Sequence, residues 1–135
     1  MVMIMKRILV DMSATLIHHG HIRLLKRASS LGQVVVALTI DEDIVKVKGY
    51  EPEILFEERQ EILEAIRYVD KVIPAPWLID NHFLFEHKID LLVHGDDNRN
   101  HVDQDKLLIF PRTQGISSTI LRSRALNVVS TLIIS

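Results

Sequence analysis

The sequence predicts an α/β fold, with one parallel sheet of about five strands covered by helices on both faces. Three observations predict it. Apolar runs of strand length alternate with helical patterns along the 135 residues. The run Gln33–Thr39 (QVVVALT) is dense in β-branched residues and lacks polar alternation, as in a strand buried on both faces. The residues richest in chemistry fall just after the apolar runs, where open parallel sheets place their ligands. Right-handed crossovers between such units give a doubly wound, Rossmann-like arrangement in a single domain spanning 1–135.

Lys6–Val10 is expected as the first strand. His21–Leu31 follows as a helix, with Ile22, Leu24, Leu25, Ala28 and Leu31 at amphipathic spacing. After the strand Gln33–Thr39, the stretch Asp43–Glu53 has no clean periodicity and reads as a loop. Glu57–Tyr68 is expected as a helix with Ile62, Leu63 and Ile66 on one face. Lys71–Ile73 is a short strand, stopped by Pro74 and Pro76. A helix over Ile79–Lys88, strands over Asp90–His94 and Lys106–Phe110, and a helix over Ser117–Leu126 complete the order. The apolar tail Ala125–Ser135 is expected to pack against the domain or a second subunit.

Composition narrows the function. An apolar content of 47% with 25% charged residues is that of a soluble globular chain. A formal net charge of -2 argues against a general nucleic-acid binder. With no cysteine there is no disulfide, thiol nucleophile or thiolate metal site. The apolar start Met1–Met5 is too short for a secretory signal and its charges follow rather than precede it. No apolar run approaches the ~18 residues that span a bilayer. A cytoplasmic protein that does not engage membranes is the expectation.

Two turns carry the chemistry. His18-His19-Gly20-His21 joins a strand to a helix, where the first amide N–H groups lack intrahelical partners and the helix dipole favours an anion. His18 and His21 can add N–H donors to the same phosphate. The bland alternative is a pair of turn histidines or half a metal site, but His82, His87, His94 and His101 show no spacing that completes a metal site. No protein metal ligand is expected. The second turn is Arg112-Thr113-Gln114-Gly115-Ile116-Ser117-Ser118-Thr119. Its arginine is a planar fork for phosphate. Its hydroxyl run would equally serve as an ordinary helix cap, and the two roles are compatible because both use open N–H groups.

With these boxes, the chain resembles the cytidylyltransferases of the HxGH nucleotidyltransferase superfamily, most closely the glycerol-3-phosphate cytidylyltransferase type. The resemblance runs from about Lys6 to Arg124. Besides the two turns it includes Lys46-Val47-Lys48, Glu58-Arg59, Arg67-Tyr68-Val69-Asp70 and Gly95-Asp96-Asp97. It implies catalytic roles for His18, His21, Lys46 and Arg112. It further implies CTP contacts at Ser13, Ala14, Gly20, Gly95 and Asp96, and along the second box at Thr113, Gly115, Ile116, Ser117, Ser118 and Thr119. The lysine segment is one residue longer than the family pattern, so either Lys46 or Lys48 fits the register. By the same resemblance Arg67–Asp70 lies at a homodimer interface, Mg²⁺ accompanies the nucleotide, and the product is a CDP-activated precursor for envelope, capsule or lipid synthesis.

Departures concentrate at the acceptor end. Where relatives read Gly-Thr-Phe-Asp, this chain reads Met12-Ser13-Ala14-Thr15, so the family's acceptor-facing aspartate becomes Thr15. Asp80, near Trp77, stands where a lysine is expected, and Asn98 replaces an aromatic residue. Thr15, Lys48, Trp77 and Asp80 are therefore the candidate acceptor contacts. The expected acceptor is a small phosphorylated or phosphonate compound; glycerol 3-phosphate is expected to be a poor one, and a better one to carry an amine or a different hydroxyl pattern near Asp80 and Trp77. An adenylyltransferase on the same scaffold and a non-catalytic nucleotide-binding module are the alternatives.

Overall fold

The computed structural model describes residues 5–134; Met1–Ile4, in the apolar start, and Ser135, at the end of the tail, lie outside them. The element order is β1 (Arg7–Met12), α1 (His19–Ser29), β2 (Gln33–Thr39), α2 (Asp41–Lys48), α3 (Phe56–Glu64), β3 (Lys71–Ala75), α4 (Asn81–Glu86), β4 (Leu91–Gly95), β5 (Leu107–Phe110) and α5 (Ser118–Ile134), with a single 3-10 turn at Gln104–Lys106 before β5. All four strand pairings are parallel, in the order β3-β2-β1-β4-β5.

The alternation of side chains along β1 and β2 divides the core. Ile8, Val10, Val34, Val36 and Leu38 pack on one face against Leu25 and Ala28 of α1 and Leu63 of α3. Leu9, Val35 and Ala37 pack on the other with Ile79, Leu84 of α4 and Ile89. Burial of the central strands on both faces explains their uninterrupted apolar composition.

Beyond shifts of one or two residues at element ends, four expectations fail. Asp41–Lys48 is a helix, although most of it was expected as loop. Only Ile44 is buried there, so no apolar stripe announces it. Its support is electrostatic, with Asp41, Glu42 and Asp43 in the first turn and Lys46 and Lys48 in the last. Gly49, at φ 81°, closes it in the left-handed conformation. Pro74 does not stop β3, which continues to Ala75. The strand lies at the sheet edge, where a missing ladder N–H is tolerated. The third helix ends at Glu64, leaving Arg67–Asp70 in the turns before β3. There the Asp70 carboxylate accepts the Val34 N–H at 2.8 Å. Finally, α5 runs to Ile134 instead of ending near Leu126, and its tail residues Leu126, Leu132 and Ile133 are 65%, 69% and 78% exposed. Among the described side chains, every tail residue from Ala125 to Ile133 is exposed.

Candidate active site

The chain adds β2 and β3 on one side of β1, then crosses to add β4 and β5 on the other. The reversal opens a crevice outside the carboxyl ends of β1 and β4. A cavity of about 410 Å³ fills it.

His18 is the N-cap of α1. Its Nδ1 accepts the Gly20 N–H at 3.0 Å, while Nδ1 of His21 accepts the His18 N–H at 3.1 Å. These bonds settle the tautomers, because an Nδ1 that accepts cannot carry the proton. Each neutral ring therefore holds its proton on Nε2. The ring centroids lie 4.0 Å apart, and both residues line the cavity. Gly20 is required by close approach, since a Cβ there would stand 2.8 Å from His18 Cε1. Burial lowers both pKa values, with help at His18 from His19 and Arg112. His21 falls to about 3 through burial and the neighbouring His18. Both are thus neutral donors at physiological pH.

The second box faces them. Arg112, Thr113, Ile116, Ser117 and Ser118 line the same cavity, with Ser13, Ala14 and Gly95. Ser117 Oγ accepts the Ile120 N–H at 3.0 Å, capping α5. Ser118 Oγ bonds both the carbonyl and the N–H of Leu16, at 3.0 and 3.3 Å, tying the second box to the loop that leads into His18.

Of the two lysines, Lys48 lines the cavity and stands 5.6 Å from the Trp77 ring centre, whereas Lys46 is absent from the lining. Trp77 also lines it. Asp96 and Gly115 border a shallow neighbouring recess with Arg112 and Thr113, and it is Asp97 that reaches the main cavity. Three further candidates are not in either lining. Thr119 is exposed on the first turn of α5. Thr15 is buried, and its hydroxyl meets Arg122 at 3.3 Å. The Asp80 carboxylate caps α4 by accepting the Phe83 N–H at 2.8 Å.

Sequence reasoning passed over Asp11, His94, Asp97 and Asn100, which also line the cavity. Asp11 bonds His94 Nδ1 through one oxygen and Asn100 Nδ2, at 2.9 Å, through the other. Burial alone would lower the His94 pKa, but hydrogen bonds to Asp11 and Asp97 outweigh it and raise the ring to about 9. The bond from His94, with lesser help from Arg112, holds Asp97 near 2. A signal was present: Asp11 and His94 are polar residues following the apolar runs Ile8–Val10 and Leu91–Val93, near the carboxyl ends of their strands.

This fold and site define a nucleotide-binding α/β domain with paired imidazole donors and an arginine set at the sheet's switch point. The chain belongs to the cytidylyltransferase-like family, whose model matches residues 13–124. It is 40% identical over 126 residues to glycerol-3-phosphate cytidylyltransferase of Bacillus subtilis (strain 168), covering 87% of this chain and 95% of that protein. It is 34% identical over 132 residues to ethanolamine-phosphate cytidylyltransferase of Mus musculus, covering 89% of this chain but 32% of that protein. The crystal structure of the lipopolysaccharide core biosynthesis protein from Thermoplasma volcanium GSS1 shares the fold, with a TM-score of 0.67 at 20% identity, covering 82% of this chain and 99% of that one. The chain is a CTP-dependent nucleotidyltransferase.

Proposed function

We propose that this enzyme transfers CMP from CTP to a small phosphorylated or phosphonate acceptor bearing an amine. An acceptor oxygen attacks the α-phosphorus, the bond from that phosphorus to the oxygen bridging the β-phosphate breaks, and pyrophosphate leaves. A phosphate monoester has a second pKa near ~6 and arrives largely dianionic, so no general base is needed. The task is positioning and charge stabilisation. The observation that carries this reading is the pair of fixed Nε2–H donors of His18 and His21 sharing a cavity with Arg112. Lys48 is the better placed lysine for the acceptor phosphate. Mg²⁺ would accompany the nucleotide, carried by triphosphate oxygens and water rather than by a protein cage.

Asp11 supports an amine on the acceptor. Its carboxylate lines the cavity at 8% exposure, and each oxygen has accepted only one bond, which leaves lone pairs for a donor. Asp80, spent on its helix cap, is replaced by Asp11 in this role. Phosphoethanolamine or 2-aminoethylphosphonate should support CTP-dependent pyrophosphate release with kcat/KM about tenfold or more above glycerol 3-phosphate, reflecting one charged pair made or lost. Equal efficiency with glycerol 3-phosphate would overturn the amine. Release from ATP but not CTP would favour the adenylyl alternative, and no release at all the binding module.

A homodimer is part of this reading, supported by exposed Arg67 and by the exposed apolar side chains of α5. Light scattering at micromolar concentration should give twice the chain mass; a monomer mass would count decisively against it. No helix among the described residues is long and apolar enough to cross a membrane. A cytoplasmic supply of CDP-activated precursors for envelope, capsule or lipid synthesis fits the proposed reaction.

A further inference from the structure

A polar line crosses the cavity floor. Asp11, with its side chain 9% exposed, is fixed by His94 and by Asn100, whose own Oδ1 accepts the Ile79 N–H at 2.6 Å. From the other edge of the ring, His94 Nε2 reaches Asp97 Oδ1 at 3.4 Å, and Asp97 Oδ2 reaches Arg112 Nη1 at 3.3 Å. The line runs from buried to exposed, since the Asp97 and Arg112 side chains are 56% and 51% exposed. Gly95 makes room for the junction, because a Cβ there would lie 3.1 Å from both Arg112 Cγ and Asp97 Oδ1.

An exposed carboxylate–guanidinium pair holds geometry poorly by itself, because solvent screens it and both side chains lose freedom in pairing. Tethering one partner to a half-buried ring, itself held by the buried Asp11, changes that. We propose that His94 is a positioning residue for Arg112, holding Asp97 where its carboxylate aims the arginine fork at the nucleotide's phosphates before CTP arrives. A fork aimed in advance avoids reorganisation when the triphosphate binds. The inference rests on the cavity being the CTP site. The charged groups facing the ring are Asp11 from β1, Asp97 from its own loop and Arg112 from the loop after β5. Arg23 and Arg27 of α1, Lys48 of α2 and Arg99 line the same cavity, as do the neutral His18 and His21.

Calorimetric titration of CTP into the intact protein, without acceptor, tests this. His94→Gln should weaken binding about tenfold at pH 7.5, the loss of one charge-assisted hydrogen bond. Asp97→Asn should do the same while leaving the Asp11–His94 pair in place, so the test survives if His94→Gln folds poorly. The double variant His94→Gln/Arg112→Lys should bind no more weakly than Arg112→Lys alone. The ring is charged below its raised pKa of about 9, so wild-type affinity should fall as pH rises through that value. His94→Gln should show no such limb, which a purely structural role would not predict. Affinities within twofold of wild type, tighter binding by Asp97→Asn, or additive losses in the double variant would each overturn the proposal. Wild-type protein that fails to bind CTP would overturn the nucleotide reading, and the proposal with it.

Discussion

Alanine in place of His21 should lower turnover by about 10²–10³-fold, and alanine in place of His18 by a similar factor, the usual loss for one preorganised donor. The expectation follows from the cap. Each Nδ1 is occupied by a backbone N–H, so each Nε2–H is committed to the cavity and needs no reorientation as charge develops. The cap is also a complication, because removing an N-cap side chain costs about 1 kcal/mol. His18→Asn separates the two roles: asparagine caps helices well but lacks the distant N–H. It should restore stability without restoring turnover. Because His21 is protonated only near pH 3, its loss of function on acidification should not begin between pH 8 and 5. Pyrophosphate release with a working acceptor, alongside thermal denaturation, reads both quantities. Near-normal turnover in His18→Ala and His21→Ala would remove these rings from the mechanism.

The parallel sheet was legible because burial on both faces leaves a composition that few alternatives produce, as in Gln33–Thr39. The histidine box was legible because its glycine and its spacing are requirements of the cap itself. What escaped was held by forces without a period. Helix α2 has one buried residue and charged ends, and periodicity cannot see charges at helix ends. Asp80 reads equally as an acceptor contact or a cap, and its partner, the Phe83 N–H, exists only once α4 forms. Asp11 and His94 lie 83 residues apart and meet only because β1 and β4 pair. No local pattern joins them, although each marks the end of its strand. Lys46 and Lys48, two residues apart, differ by slightly more than half a helical turn. Only knowledge that the segment is helical separates them.

Arg59→Leu should produce the largest loss of stability of any single change considered, about 3–5 kcal/mol, because it breaks a buried charged network from one side. Arg59 lies on α3 at 0% exposure, and every arm of its guanidinium is used. Nε donates to the Ile54 carbonyl at 2.9 Å, Nη1 to the Ser13 carbonyl at 2.6 Å, and Nη2 to Asp41 Oδ1 at 2.5 Å. Asp41 accepts the Phe56 N–H through its other oxygen at 3.2 Å, so the pair joins the first turns of α2 and α3. The Ser13 bond matters for the site as well. It precedes Ala14, a buried residue at φ 47°, a backbone conformation that needs outside support in any residue with a Cβ. Leucine would fill part of the volume but leave the Ser13 and Ile54 carbonyls without this donor and the Asp41 carboxylate without its counter-charge. Arg59→Lys keeps the charge and loses the fork, and should fall between wild type and leucine. Because the Ser13–Ala14 turn lines the cavity, folded Arg59→Lys protein should also show a raised KM for CTP. Denaturant unfolding gives the stability change. A loss below 1 kcal/mol for Arg59→Leu would mean that the loop after β1 is held by its packing alone, and the KM for CTP should then be unaltered as well.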